Sequence, residues 1–213
     1  MKASKPLSGS TFGILGDSYS TFQGYIPEEY AFYYPAPEKV DDVLTVEDTW
    51  WHILMRRNNM ELVRNNSYSG STVCTNVREN HPKTSAFTAR AKKYFSGDVH
   101  MDYIFIFGGT NDSWLDRPAG QLQFNDWTEE DLMQVLPAYC YVLDHITKHN
   151  PDAVVVSVLN TGMLPDIHRG ILDAASHYGV TAIVLCDVDK QNGHPSALGM
   201  RQIAEQIETA LHI

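Results

Sequence analysis

Three cysteines among 213 residues, Cys74, Cys140 and Cys186, are too few for a disulfide framework, and no two are spaced as a CxxC metal or redox pair. Cys186 closes an apolar run and is expected to be a buried thiol. No run of about 18 apolar residues occurs, so no membrane-spanning helix is expected. The opening segment, Met1 to Ser10, has no apolar stretch of signal-peptide length. The expectation is a cytoplasmic protein as the chain stands, or a secreted or periplasmic one if a leader was trimmed. Basic residues are scarce, 16 Lys and Arg against 26 Asp and Glu, for a net charge of −10. That is the wrong sign for gripping phosphate backbones, so neither a nucleic-acid nor a membrane partner is expected. GxxxxGK[ST] is absent, and with it a nucleotide P-loop.

What is present is enough apolar material for a core: 43% of the residues are hydrophobic and 20% are charged, which excludes disorder. Charge is uneven. Residues 51–100 carry eight basic side chains against three acidic, and 101–150 carry two against eight. The short basic run Arg56, Arg57, Arg64 is read as a solvated helix face.

Short, nearly continuous β-branched and aromatic runs occur at Thr11–Leu15, Tyr103–Phe107, Ala153–Leu159 and Thr181–Cys186, with a weaker one at Glu61–Arg64. Strands buried on both faces of a parallel sheet have this pattern. Helical patterns lie between them at Val46–Arg57, Ser85–Phe95, Glu129–Asn150 and Asp166–Tyr178, with a last one from Ser196 to Leu211. Thr128 and Asp131 form a capping pattern at the start of the third. Strands separated by helices imply right-handed crossovers and a three-layer α/β/α sandwich around a mostly parallel, five-stranded, flavodoxin-like sheet. Residues 1–213 are expected to form a single domain, with an aromatic-rich loop inserted at about 19–45.

In such sheets ligands sit beyond the carboxyl ends of the strands. The residues there are Gly16-Asp17-Ser18, then Ser67-Tyr68-Ser69-Gly70, then Gly109-Thr110-Asn111-Asp112, and near the C-terminus Gln191-Asn192-Gly193-His194. Brought to one edge, these turns supply a hydroxyl, a flexible backbone amide, a carboxamide and an imidazole. Acyl transfer needs that set: a nucleophile, oxyanion donors and a general base.

These four blocks, in this order and each after a predicted strand, resemble the SGNH (GDSL) hydrolase family over residues 11 to about 200. The resemblance implies that Ser18 is the nucleophile, that His194 is the general base, and that Ser18 (through its N–H), Gly70 and Asn111 form the oxyanion hole. The family usually has an Asp three residues before the His, and this chain has Gln191 there. Gln191 is expected to face His194 through its side chain or backbone. Asp189 is the second choice, and a backbone carbonyl is a third way to serve the ring. Asp17 is read as structural, holding the turn.

No metal and no cofactor is expected. His145 and His149 have metal-ligand spacing but no third ligand, and Asp187–Gly193 lacks the glycine position and closing Glu of a calcium loop. Between Phe22 and Tyr34 lie six aromatics, Phe22, Tyr25, Tyr30, Phe32, Tyr33 and Tyr34, with Pro27, Pro35 and Pro37 nearby; Trp114, Phe124 and Trp127 follow the Asn block. Such rings either stack on sugar faces or pack an acyl group, or else form a satellite core. The reaction implied is metal-independent ester hydrolysis through an acyl-enzyme, on a small-molecule or carbohydrate ester, with carbohydrate O-deacetylation favoured. The alternative is a catalytically weak or inactive carbohydrate-binding protein on the same scaffold.

Overall fold

The computed structural model describes residues 5–36, 38 and 41–211, so Pro37 lies outside the described residues. The strands are β1 (Thr11–Gly16), β2 (Glu61–Ser67), β3 (Tyr103–Phe107), β4 (Val154–Leu159) and β5 (Thr181–Val184). They pair in the order β2-β1-β3-β4-β5, every pair parallel. A two-residue antiparallel ribbon, β6 (Lys190–Gln191) with β7 (His194–Pro195), follows the sheet.

Strand alternation sorts the sheet residues between two cores. Ile104 and Ile106 face the side covered by α2 (Phe87–Tyr94), α4 (Val135–His149) and α5 (Pro165–His177). Tyr103, Phe105 and Phe107 face the side covered by α1 (Trp50–Asn58) and α6 (Ala197–Leu211). All five residues of β3 are buried, as the unbroken run YIFIF requires of a central strand. Each fully buried ring or aliphatic side chain contributes about 1.5–3 kcal/mol. The three-layer α/β/α sandwich is thus the observed architecture. Among the described residues no helix is long and apolar enough to cross a membrane.

Two expectations need correction. The pattern Glu129–Asn150 is not one helix. Thr128 and Asp131 do form their box, with Thr128 N–H donating to Asp131 Oδ2 at 2.9 Å and Asp131 N–H to Thr128 Oγ1 at 3.2 Å. It caps only a 3₁₀ turn, Asp131–Met133, and α4 starts at Val135 after an extended Gln134. The cause is Pro137, whose ring would clash with the carbonyl four residues back in a continuous helix but is tolerated in a first turn. Cys186 is exposed rather than buried. It follows β5, which lies at the sheet edge with only Ile183 buried, so the apolar run there marks a strand covered on one face. Of the roles left open for Phe124 and Trp127, packing is the one observed: both lie against the core on the α4 and α5 side, Phe124 stacked on His177 at 3.7 Å and Trp127 edge-on to Tyr141.

Two residues of the basic run are paired: Arg57 on α1 with Glu205 and Glu208, and Arg64, which lies on β2 rather than on a helix face, with Asp98. His145 and His149 stack on one another along α4, and among the described residues no three His, Cys, Asp or Glu cluster as metal ligands.

Candidate active site

β1 ends at Gly16, where a side chain would collide with Ser67 Oγ and Ser20 Cβ, the latter 2.8 Å from the position of a β-carbon. Asp17 then caps a 3₁₀ turn, Ser18–Ser20, accepting the Tyr19 N–H at 3.1 Å. This puts Ser18 just beyond the strand end, 3% exposed. Its Oγ lies 2.9 Å from Nε2 of His194, a residue 176 positions away that stands on β7. Two of the four blocks therefore meet at hydrogen-bond distance.

The other two blocks face the same edge. Asp112 is fully buried, and its carboxylate accepts the N–H groups of Val73, at 2.9 Å, and Cys74, at 3.2 Å. This ties the short helix α3 (Thr110–Trp114) to the loop that carries Gly70. Burial pushes the Asp112 carboxyl upward. Gly70 has φ +79°, and a β-carbon there would stand 2.6 Å from His81 Cε1, so both conformation and space call for glycine. Burial, then the nearby Arg78, lower the pKa of that His81 ring. The Asn111 side chain is oriented by Arg78, whose Nη2 donates to Oδ1 at 3.1 Å. Its Nδ2 is buried and donates to no described group, and the N–H groups of Ser18 and Gly70 likewise donate to none. Three unused donors thus lie on the turns that follow β1, β2 and β3.

Sequence reasoning expected Gln191 at the imidazole's second nitrogen. Gln191 is the cross-strand partner of His194, yet its Oε1 is buried without a hydrogen bond. The Nδ1 contact goes instead to the backbone carbonyl of Asn192, at 3.3 Å. The ribbon thus brings Gln191 opposite His194 across its two strands and the Asn192 carbonyl to Nδ1. Asp189 is committed elsewhere: its carboxylate accepts from Ser196 Oγ and its carbonyl accepts the Ser196 N–H at 3.1 Å, fastening the start of α6.

Aromatic groups hold the histidine turn, and of these only Tyr19 was not singled out in the sequence. Tyr33 stacks face to face on the His194 ring, centroids 3.5 Å apart and planes 8° apart, and Trp114 meets it edge-on at 5.7 Å. Tyr19 OH donates to Gly193 O at 2.6 Å and Tyr34 OH to Pro195 O at 2.7 Å. Asn160 Nδ2 donates to the Tyr19 hydroxyl at 3.0 Å, and Lys190 Nζ to Asn160 Oδ1 at 3.0 Å. The aromatic loop is split between core and surface. Phe22, Tyr33 and Tyr34 are buried, while Tyr25 and Phe32, 47% and 43% exposed, stand on the surface with Trp114. The density of rings signalled the loop; nothing in the spacing signalled which ring would reach His194.

Asp17 carries a pH signature. Burial raises its carboxyl to about 7, opposed by the Tyr19 N–H and the charge of Arg90, and its Oδ2 has no partner. An unfolded Asp titrates near 4. The folded chain therefore holds a proton that the unfolded chain has lost between about pH 4 and 7, and the stability this supplies disappears as pH rises through that window. Thermal unfolding followed from pH 5 to 8 should show falling stability, with a shallower slope in Asp17→Asn. Equal slopes in the two proteins would contradict the assignment.

A doubly wound parallel sheet with a Ser–His pair beyond its strand ends is the layout of a hydrolase. The family model for GDSL-like lipase/acylhydrolase matches residues 10–211, and the chain belongs to that family, the SGNH hydrolases. It is 40% identical to a GDSL-like lipase from Bacteroides ovatus, covering 95% of this chain and 97% of that one, with a TM-score of 0.88. A GDSL-like lipase from Bacteroides uniformis is 38% identical, covering 94% of each chain, also with a TM-score of 0.88. The acetyl xylan esterase Est2A from Butyrivibrio proteoclasticus shares the fold at 18% identity, covering 98% of this chain and 64% of that one, with a TM-score of 0.61. No curated protein sequence matches the chain.

Proposed function

We propose that this chain is a serine esterase that hydrolyses carboxylic esters through an acyl-enzyme, with a small acyl group on a carbohydrate as its substrate class. The observation that carries the reading is the 2.9 Å contact between Ser18 Oγ and His194 Nε2. Ser18 Oγ attacks the ester carbonyl carbon while His194 Nε2 takes its proton. The tetrahedral oxyanion is held by the N–H groups of Ser18 and Gly70 and by Asn111 Nδ2. Collapse breaks the C–O bond, and His194 returns the proton to the leaving alcohol. A water then repeats the attack on the acyl-enzyme with His194 as base, releasing the acid and restoring Ser18.

The carbonyl of Asn192, the stacked Tyr33 ring and the Tyr19 and Tyr34 hydroxyls replace an acidic third member by orienting the ring and its turn. Gln191→Ala should therefore leave kcat within about threefold, under ~0.7 kcal/mol. A loss beyond about tenfold in steady-state hydrolysis would return Gln191 to the catalytic set.

The exposed rings of Tyr25, Phe32 and Trp114 support the carbohydrate assignment, since flat aromatic faces suit sugar rings, and an acetyl xylan esterase uses the same scaffold. Labelling with a fluorophosphonate probe tests the nucleophile, and a series of p-nitrophenyl esters from acetate to octanoate followed by acetylated xylo-oligosaccharide tests the substrate. Expected are covalent labelling at Ser18, turnover falling with chain length, and acetate release from the oligosaccharide. An unlabelled Ser18 would favour the sugar-binding alternative.

A further inference from the structure

The geometry points to Arg78 as a positioning residue for ester hydrolysis, one that fixes which end of the Asn111 amide faces the reacting carbonyl. The inference rests on the esterase reading and deepens it. Asparagine presents an acceptor on one side of its terminal carbon and two donors on the other; guanidinium has donors only. With Arg78 Nη2 donating to Asn111 Oδ1 at 3.1 Å, the amide is locked with Nδ2 turned the other way, where it is buried and unused by the protein. Without Arg78, either end of the amide fits the site, and the flipped rotamer would aim an acceptor at the oxyanion.

A second observation places the same guanidinium against the other donor. A β-carbon on Gly70 would come 3.3 Å from Arg78 Nε, so the side chain lies along that glycine as well as along Asn111. Nε is buried and has no hydrogen-bond partner, and no carboxylate of the described residues pairs with Arg78. A cation with no carboxylate partner among the described residues therefore packs along Gly70 and bonds Asn111, polarising its amide through a charge-assisted bond. The loop that carries it is itself fastened, since Arg117 Nη2 donates to Val77 O at 3.0 Å.

An oxyanion donor is worth about 100- to 1000-fold in turnover, so loosening one without deleting it should cost about 10- to 100-fold. The test is a double-mutant cycle on p-nitrophenyl acetate hydrolysis, with Arg78→Met, Asn111→Ala and the double variant, and with thermal unfolding as a check on folding. Arg78→Met should lower kcat about 10- to 100-fold with KM within about twofold. In the Asn111→Ala background the same change should cost less than about twofold, because its target is gone. Arg78→Lys, which keeps a donor but not the planar fork, should fall between wild type and Met. It also carries the cycle should the Met variant not fold. Equal losses in both backgrounds, or a rise in KM with kcat spared, would overturn the proposal. A wild-type chain that neither takes fluorophosphonate nor turns over the ester would overturn the esterase reading, and this assignment with it.

Discussion

Ser18→Ala is expected to lower ester turnover about 10⁴- to 10⁶-fold while the chain stays folded. The hydroxyl makes one contact, to His194 Nε2 at 2.9 Å. Its loss from the folded state costs about 1 kcal/mol, the net worth of an ordinary hydrogen bond. The backbone features that define the turn are untouched: Asp17 still accepts the Tyr19 N–H and Ser18 O still accepts from Thr21. The kinetic loss is far larger because without Oγ no acyl-enzyme forms, and about 5.5–8 kcal/mol of barrier lowering goes with it. What survives is the contribution of substrate binding and of the proposed donors, the N–H groups of residues 18 and 70 and Asn111 Nδ2, acting on a direct attack by water. The decisive comparison is turnover of a p-nitrophenyl ester against a matched melting curve. A variant that kept more than about a tenth of the activity would have lost less than ~1.4 kcal/mol, and Ser18 would not be the nucleophile.

The parts of this site that could be read from the sequence are those fixed by sheet topology. Parallel strands with buried faces read as apolar runs, and the run at Tyr103–Phe107 coincides with β3. Since ligands collect beyond the strand ends, the polar turns after β1, β2 and β3 were the places to inspect, and the resemblance to the SGNH family singled out Ser18, Gly70 and Asn111 within them. Elements held by side-chain hydrogen bonds were less legible. β2 runs on to Ser67 through Asn65 and Asn66, which are buried because Asn65 donates to Ser20 O and Arg90 to Asn66 O. The weak apolar run at Glu61–Arg64 announced only the first half of that strand. The same holds for the site's supports. Tyr33 reaches His194, and Arg78 reaches Asn111, from loops whose paths are set by the backbone bonds Ser69 N–H to Ala31 O and Thr75 N–H to Leu132 O. At the third-member position the sequence left Gln191, Asp189 and a backbone carbonyl open, because a residue type alone does not say which atom meets the ring; in the 190–195 ribbon Gln191 pairs opposite His194 and the carbonyl of Asn192 reaches Nδ1.

Asn111→Ala is expected to cost about 100- to 1000-fold in kcat, about 3–4 kcal/mol, with KM nearly unchanged. The split follows from where charge appears. A ground-state carbonyl oxygen is a weak acceptor, whereas the tetrahedral intermediate carries a full negative charge, so a donor placed for the latter contributes mainly to the transition state. Nδ2 is already stripped of water and has no competing protein acceptor, so little reorganisation is needed when the charge forms. Truncation should leave the fold in place, since the anchoring of α3 comes from Asp112 rather than Asn111. It does strand the Arg78 Nη2 donor, but Arg78 is half-buried, so water can take the bond. Asn111→Asp separates donation from size: it keeps the shape and replaces the donor with a negative charge beside the oxyanion. Its turnover should therefore fall below that of Asn111→Ala. Steady-state kinetics of the two variants decide the matter. A rise in KM with kcat spared, or an Asp variant more active than the Ala variant, would show that Asn111 binds substrate without stabilising the oxyanion.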